Sequence, residues 1–402
     1  MTPARRTFGV QSLAAASVAA VALLGASLLP GDNADGDEII PSHTVALIGA
    51  PETTTPSNPV DSAQRAPSDP AHAANGSPTS PTAAPTPAPT TRRTTTPVPG
   101  PGPTTATGMV VGLVAGSGPP STADAMASLK PKLVRLEFGV GDPASKIAPY
   151  IDAYQKIGAR VLLLAGFHGS MPSSDAARNL GTWAKAFGPA SGRSIPVTTI
   201  EFGNETSYTY QYNDGPGDSS YTRRAATYGQ RAVEAGQAIR AADPGVGLVV
   251  QADDGDTGSS SWVDSMFDAA PTLNQWVTGY TVHPYGPGYA ARLTKIRAML
   301  TAHKANRPFW ITEWGLAADG GRCLSDNYGW DKCMSDDEAA ATMKKVAADV
   351  SKMNVAAFVV YQFQDQGAPG SSSEREDFFG IVTSSGKPKG SLAQALLSIA
   401  GV

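Results

Sequence analysis

The spacing of apolar positions changes near residue 108 and divides the chain into two parts. From there to the C-terminus, short runs of Val, Ile, Leu and Phe alternate with longer segments in which apolar residues recur every three or four positions. The short runs are typical of buried strands and the longer segments of amphipathic helices. The predicted strands are Met109–Val114, Leu133–Phe138, Arg160–Ala165, Thr198–Phe202, Gly247–Gln251, Val277–Val282, Phe309–Thr312 and Ala357–Gln362.

A helix is predicted after each strand, near residues 121–129, 145–157, 175–187, 221–242, 260–270, 288–305, 335–353 and 390–399. Repeated strand–helix units form parallel sheets, and eight units favour an α/β fold of the (β/α)₈ TIM-barrel type over residues 108–402. The alternative is an open, doubly wound sheet, which usually has a phosphate-binding glycine-rich turn after its first strand. The Gly112–Gly118 segment resembles such a turn only weakly, so the barrel is preferred.

The first 107 residues lack this repeat. In residues 1–31, the pair Arg5-Arg6 precedes an apolar stretch, which predicts a signal peptide or a membrane anchor. The arginine pair also resembles a twin-arginine export signal. Residues 32–107 are dominated by Pro, Thr and Ala, and we expect a disordered linker there. The rest of the chain is therefore expected outside the cytoplasm, either secreted or anchored to the outer face of the membrane.

The overall composition is that of an ordinary globular domain. The 402 residues are 41% hydrophobic and carry a formal net charge of −4, without a Lys/Arg-rich run in the C-terminal part. Nucleic acid is therefore not an expected partner, and we expect a monomer that needs no cofactor. The two cysteines, Cys323 and Cys333, are expected to form a disulfide in an exported protein, with two free thiols as the alternative.

Polar and aromatic residues collect where the predicted strands end. The active sites of TIM barrels lie at this C-terminal mouth, built from the strand ends. The residues concerned are Arg135, Glu137, His168, Asn204, Glu205, Gln251, Asp253, Asp254, His283, Tyr285, Glu313, Trp314 and Gln362. Their clustering at the same ends of the strands is stronger evidence for an active site than any single residue is.

Two of these residues have the chemistry of a glycosidase. Cleavage of a glycosidic bond needs two carboxyl groups, one to protonate the leaving oxygen and one to attack the anomeric carbon or to activate water. Glu205 ends the fourth predicted strand and Glu313 the seventh. This placement predicts a glycoside hydrolase with Glu205 as acid/base and Glu313 as nucleophile, acting on a poly- or oligosaccharide.

The motifs around both glutamates resemble clan A of the retaining (β/α)₈ glycoside hydrolases. The cellulase-like family 5 and the β-xylosidase-like family 39 are nearest. In that clan an Asn-Glu pair ends strand four and the nucleophile ends strand seven, as Asn204-Glu205 and Glu313 do here. The resemblance implies that Asn204 binds the sugar 2-hydroxyl. It also implies that Arg135 and Tyr285 lie near Glu313, where they would favour its ionised form.

Further substrate contacts are expected from His168, His283, Trp314, Gln251 and Gln362.

The chain departs from the clan at two places. Many members have proline after the acid/base, where this chain has Thr206, and a tryptophan at the end of strand eight, where it has Tyr361 and Phe363.

The sequence alone leaves several functional hypotheses open. A metal-dependent hydrolase could take its ligands from His168, His283, Asp253 and Asp254, although these residues lack a His-x-His or His-x-x-x-His spacing. A barrel that binds carbohydrate without cleaving it is the other alternative. Further sugar contacts could come from Tyr328, Trp330 and the tyrosines of segment 207–216. Glu137 is expected to pair with Arg135.

Overall fold

The computed structural model describes residues 108–116, 118–208, 212, 219–253, 261–325 and 331–401. Within them, eight parallel strands form a closed barrel in sequence order, with the first strand paired to the eighth. The strands are β1 Val110–Gly116, β2 Leu133–Gly139, β3 Arg160–Gly166, β4 Thr199–Phe202, β5 Gly247–Gln251, β6 Gly279–Val282, β7 Phe309–Trp314 and β8 Val355–Val360. The predicted TIM-barrel fold is confirmed.

One helix follows each strand and packs outside the barrel. The helices are α1 Pro120–Met126, α2 Ala144–Lys156, α3 Ser174–Phe187, α4 Ser219–Ala242, α5 Ser261–Ala269, α6 Tyr289–Ala302, α7 Asp336–Val350 and α8 Gly390–Ile399. Apolar side chains from the outward-facing strand positions and the inner helix faces form one large core between the two layers.

Successive side chains of each strand point alternately outward, into this outer core, and inward, into the barrel interior. Leu133, Leu162 and Val249 point inward and form an apolar layer inside the barrel. Two positions further along β2 and β5, the inward-facing residues are Arg135 and Gln251. The interior therefore changes from apolar to polar towards the C-terminal mouth.

The end of β8 differs from its prediction. The strand covers Val355–Val360, whereas the apolar pattern predicts Ala357–Gln362. The Gln362 N–H donates to the Phe379 carbonyl at 3.0 Å, and the Gln362 carbonyl accepts from the Ile381 N–H at 3.0 Å. Gln362 therefore pairs with the returning β8–α8 segment and lies beyond the barrel strand.

The segments after β7 and β8 are joined to each other. The expected disulfide between Cys323 and Cys333 is present in the β7–α7 segment. Arg375, in the β8–α8 segment, forms a buried ion pair with Asp331 at 2.6 Å. Lys389 donates to the Ala318 carbonyl at 2.7 Å. These contacts give the mouth of the barrel a fixed wall on the side of β7 and β8.

Across the described part of the chain, no helix is long and apolar enough to cross a membrane. The predicted signal or anchor segment and the linker lie outside the described residues.

Candidate active site

The turn after β4 places Glu205 at the mouth of the barrel. Gly203 has a φ of +77°, and a Cβ there would lie 2.5 Å from Thr206 Cγ2 and 2.7 Å from Phe167 Cζ, so glycine is required. Glu205 itself has a φ of +47°, which is uncommon for a residue with a side chain. Strained backbone of this kind collects at functional sites, where the surrounding structure holds it.

Gln251, at the end of β5, holds this turn from the neighbouring strand. Its Oε1 accepts a hydrogen bond from the Thr206 N–H at 2.7 Å, and its Nε2 donates to Ser207 Oγ at 2.9 Å. The Arg224 guanidinium donates to the Thr206 carbonyl. A proline at position 206 would have no N–H for Gln251 to accept. Thr206 therefore lets Gln251 hold the turn that carries Glu205 through a backbone hydrogen bond that proline could not make.

Arg135 links three strands beneath the site. It donates to both carboxylate oxygens of Glu201, at 2.6 and 3.1 Å, to Asn204 Oδ1 at 2.7 Å, and to Glu313 Oε1. All four side chains are buried. Burial opposes the charge of Arg135, but Glu201 and Glu313 outweigh it, so the pKa of Arg135 lies above its ordinary value. The guanidinium is thus a fixed positive charge beside Glu313.

Glu313 is held as a carboxylate. Besides Arg135, it accepts a hydrogen bond from the Tyr285 hydroxyl at 3.2 Å on its other oxygen. Burial alone would raise the pKa of Glu313. The charges of His283 and Arg135 and the hydrogen bonds from Arg135 and Tyr285 act the other way, and the pKa lies below its ordinary value. An ionised carboxylate is the form that a nucleophile requires.

A line of hydrogen bonds connects Glu201 to Glu205. The Thr312 hydroxyl donates to Glu201 Oε1 at 2.8 Å and lies 3.0 Å from His283 Nε2. Because its single proton goes to the carboxylate paired with Arg135, the Thr312 oxygen must accept from His283 Nε2–H. His283 Nδ1 then faces Glu205 Oε1 at 3.0 Å.

This geometry allows one proton to lie between Glu205 and His283. With a neutral imidazole, bare Nδ1 accepts from a protonated Glu205; with an imidazolium, Nδ1–H donates to the Glu205 carboxylate. Burial lowers the pKa of His283, but Glu313 and the bond to Glu205 outweigh this, so the pKa lies above its ordinary value. The protonated form of His283 is therefore favoured beside an ionised Glu313, and in that form its Nδ1–H donates to Glu205.

The structure brings most of the predicted site residues into one cluster. Its members are Arg135, Asn204, Glu205, His283, Tyr285 and Glu313. His168 lies apart, on the β3 side of the mouth, and approaches Glu137 Oε1 at 3.4 Å. Glu137 thus has His168 as its close neighbour, whereas Arg135 bonds to Glu201.

Four of the residues singled out from the sequence lie outside this cluster. Trp314 is 1% exposed and packs on Phe358 in the outer core, with ring centroids 5.4 Å apart, so it does not line the mouth. At the irregular pairing between β7 and β8, Thr312 and Glu313 both face the interior of the barrel, which leaves Trp314 facing outward. Gln251 is 2% exposed and holds the turn that carries Glu205.

Asp253 is buried, accepting from the His283 N–H at 3.0 Å and from Arg292 at 2.5 Å. Gln362 is half-buried just beyond β8. Asp254, Tyr328, Trp330 and most of segment 207–216 lie outside the described residues.

The sequence reasoning missed two residues of the cluster, Glu201 and Thr312. Both were visible as polar residues at inward-facing positions of otherwise apolar strands, two positions after Thr199 and Trp310 respectively. A charged residue at such a position requires a buried partner of opposite charge. Arg135, also inward-facing, was the available candidate.

One group among the described residues has the spacing to hold a metal ion. One ligand atom each of Glu205, His283 and Glu313 lies within 4.8 Å of the others. Of the four ligands considered from the sequence, only His283 belongs to this group.

Sequence comparisons found neither a matching protein-family model nor a matching curated protein. Comparison with solved structures did find similar folds. A family 39 glycoside hydrolase from Bacteroides cellulosilyticus WH2 has a TM-score of 0.51 at 17% identity, covering 73% of this chain and 63% of its own. A glucosidase from Croceicoccus marinus has a TM-score of 0.50 at 13% identity, covering 73% and 67%.

A β-glucuronidase from Bacteroides uniformis has a TM-score of 0.50 at 12% identity, covering 72% of this chain and 34% of its own. The chain thus spans about two thirds of the first two structures and one third of the third. All three are glycoside hydrolases. At these identities the likeness concerns the fold, and at that level the resemblance to the clan A barrels is confirmed.

Proposed function

We propose that the protein is a retaining glycoside hydrolase, with Glu205 as general acid/base and Glu313 as nucleophile. The observation that carries the proposal is the separation of the two carboxylates, of which one oxygen each lies within 4.8 Å of the other. Retaining enzymes have carboxyl groups about 5–5.5 Å apart, whereas inverting enzymes need roughly 6.5–9.5 Å to admit a water molecule. A closest approach of no more than 4.8 Å between their oxygens fits the shorter separation and supports double displacement.

In the first step, Glu313 attacks the anomeric carbon while Glu205 gives its proton to the leaving glycosidic oxygen. A covalent glycosyl ester on Glu313 results. In the second step, Glu205 takes a proton from water, and the water oxygen attacks the anomeric carbon and releases Glu313. The first step needs an ionised Glu313 and a protonated Glu205. The contacts of Arg135 and Tyr285 favour the first condition, and the contact of His283 with Glu205 places a proton at Glu205 for the second.

Asn204 fits the binding of the sugar 2-hydroxyl. Its Oδ1 accepts from Arg135 at 2.7 Å, so its Nδ2 group is the donor that can bind a sugar hydroxyl. A hydrogen bond to the 2-hydroxyl strengthens in the transition state of glycosidases. Arg135 therefore orients Asn204 as well as Glu313.

The test is a screen of aryl glycosides and polysaccharides, followed by trapping with a 2-fluoroglycoside of the sugar that reacts. We expect turnover with retained anomeric configuration and a covalent label on Glu313, found by mass spectrometry of peptides. A label on another residue, or inversion at the anomeric carbon, would contradict the assignment. Activity that is lost with a chelator and restored by a divalent cation would favour the metal-dependent alternative.

A barrel that only binds carbohydrate would bind glycans without turning over any of them.

We also propose that the protein is an exported monomer that acts on a poly- or oligosaccharide, with residues 1–31 as signal or tether. The support is the apolar N-terminal stretch with its arginine pair, together with a disulfide, which persists in oxidising compartments. Fractionation of producing cells, with the protein detected by antibody, would locate it.

A further inference from the structure

The mouth of the barrel carries a third carboxyl group that double displacement does not use. Glu376 lies in the short 3₁₀ helix Arg375–Phe378 of the β8–α8 segment, with its side chain 29% exposed. It is close enough to Glu205 and Glu313 for all three charges to interact. Burial raises the pKa of Glu376 to about 7; Arg375 opposes this and the two catalytic carboxyl groups add to it.

Tyr361 supplies an unpaired donor at the same place. It follows β8 directly and is 5% exposed, yet its hydroxyl has no hydrogen-bond partner among the described residues. The hydroxyl is also within electrostatic range of Glu313, Glu376 and Glu205. Buried polar groups are nearly always paired in folded proteins, so an unpaired hydroxyl facing a site points to a ligand.

The backbone fixes Tyr361 beside the strand that carries the nucleophile. Its N–H donates to the Trp314 carbonyl at 2.9 Å. A Cβ on Gly315 would lie 2.0 Å from the Tyr361 carbonyl oxygen, so the close approach of the two segments requires glycine. Tyr361 thus occupies the position where the clan often has tryptophan, and it brings a hydroxyl there.

When Glu376 is ionised, its negative charge is only partly compensated. Its neighbour Arg375 lies 3.4 Å from Glu376 Oε1, but it also forms the closer, fully buried ion pair with Asp331 at 2.6 Å. One guanidinium therefore faces two carboxylates. Arg135, the other guanidinium beneath the site, is likewise shared between Glu201 and Glu313.

From this arrangement we propose that Tyr361 and Glu376 together bind hydroxyl groups of the sugar that is cleaved, and that they restrict this sugar to one without a carboxylate. The proposal rests on the glycosidase function proposed above and names the substrate class for that site. A sugar hydroxyl can accept from the Tyr361 O–H and donate to the Glu376 carboxylate. A uronic acid would instead bring a negative charge towards Glu376, where like charges repel strongly at low dielectric.

The experiment compares aryl glycosides that share ring stereochemistry and differ only at C6: glucoside with glucuronide, and galactoside with galacturonide. The full-length protein is assayed as wild type, E376Q and Y361F at a pH above the pKa of Glu376, where its carboxyl group is ionised. The exposed Glu374→Gln variant, two residues from Glu376, is the matched control. The readout is the ratio of kcat/KM for the neutral sugar to that for its uronide.

We expect the wild type to prefer the neutral sugar by at least ~10-fold. E376Q should narrow that ratio by about 10-fold or more, through both slower neutral and faster uronide hydrolysis. Y361F should lower kcat/KM for the neutral sugar without changing the ratio, and E374Q should behave as wild type. A wild type that prefers uronides, or an E376Q variant with an unchanged ratio, overturns the proposal.

Binding of free sugars separates this proposal from the glycosidase assignment. If no glycoside is turned over, the proposed function fails, but calorimetric titration of the wild type with glucose and glucuronate still measures the charge preference. Tighter binding of glucose, with a difference that shrinks in E376Q, supports the subsite. Equal binding of the two sugars, or binding of neither, overturns it.

Discussion

Glu205 and Glu313 differ in the donors that surround them. Glu313 receives a guanidinium and a phenol, whereas Glu205 faces an imidazole nitrogen that accepts or donates according to its own proton. The same residue type thus faces a fixed positive charge in one position and an ionisable imidazole in the other. This difference in surroundings is the usual way in which glycosidases divide the two tasks.

Replacing Glu205 by Gln should lower kcat/KM by about 10²- to 10⁴-fold for substrates with poor leaving groups, since the glutamine cannot protonate the departing oxygen. The loss should be much smaller for nitrophenyl glycosides, whose leaving group needs little protonation. A series of aryl glycosides of increasing leaving-group pKa measures this dependence. An equal loss across the series would show that Glu205 is not the acid, and E374Q controls for the change of charge.

Replacing His283 by Asn should narrow the pH–activity profile from both sides. The pKa of His283 is raised, so a proton on its imidazole beside Glu205 persists to higher pH; without the imidazole, the alkaline limb moves to lower pH. The positive charge of His283 lowers the pKa of Glu313, so its loss moves the acid limb to higher pH.

The measurement is kcat/KM against pH for a nitrophenyl glycoside. His303→Asn is the matched control, because His303 pairs with Asp264 on the outer helices, away from the mouth. If both limbs stay in place in H283N, or shift in the same direction, the sharing of a proton between His283 and Glu205 is wrong.

At the scale of elements, the positions of catalytic groups depend on contacts between neighbouring strand ends. Glu205 is fixed through Gln251 of β5, which holds the turn that carries it. Gln251→Leu should therefore leave the Thr206 N–H without its partner and destabilise the fold by about 1–3 kcal/mol. It should also lower kcat, because the acid/base loses its fixed position.

Gln155→Leu provides the comparison. Gln155 donates from α2 to the Ile195 carbonyl on the outside of the barrel. Its loss should cost stability, measured by urea denaturation, without changing kcat. If Q251L retains full kcat despite a measurable loss of stability, then Gln251 supports the fold but does not position Glu205.

The disulfide in the β7–α7 segment should stabilise the fold. Closing so short a loop is expected to contribute roughly 2–3 kcal/mol, mainly by restricting the unfolded chain. The double variant C323S/C333S should unfold at a correspondingly lower denaturant concentration, and wild type treated with a reductant should match it. The variant itself should not respond to the reductant; a wild type whose unfolding is unchanged by reduction contradicts the expectation.

The sequence predicts the secondary-structure elements more completely than it predicts the residues of the site. The strands and helices were predictable because apolar spacing reports directly on burial, and Glu205 and Glu313 because they end strands four and seven. Trp314 was wrongly expected at the mouth, since an irregularity in the pairing of β7 with β8 cannot be read from spacing. Glu376 was missed because it lies in an irregular segment, and only the tertiary fold brings it to the mouth.

At the scale of the whole molecule, closure of the barrel makes every strand necessary. The register of β1 against β2 on one side and β8 on the other leaves no free edge among the eight strands. A barrel of this kind has a single cooperative core, and an open edge would expose unpaired backbone groups that favour aggregation. The point at which the barrel begins in the sequence can therefore be tested by deletion.

A chain that starts at residue 108 keeps all eight strands, because β1 begins at Val110. We expect it to be soluble, to have the same thermal midpoint as the full chain, and to show unchanged kcat/KM on a soluble glycoside. A chain that starts at residue 118 lacks β1, so β2 and β8 each lose a partner. It should be insoluble or fail to unfold cooperatively, as seen by circular dichroism. Loss of activity in the longer deletion alone supports residues 108–402 as the complete catalytic unit; equal loss in both would mean that the preceding residues contribute to the barrel or its site.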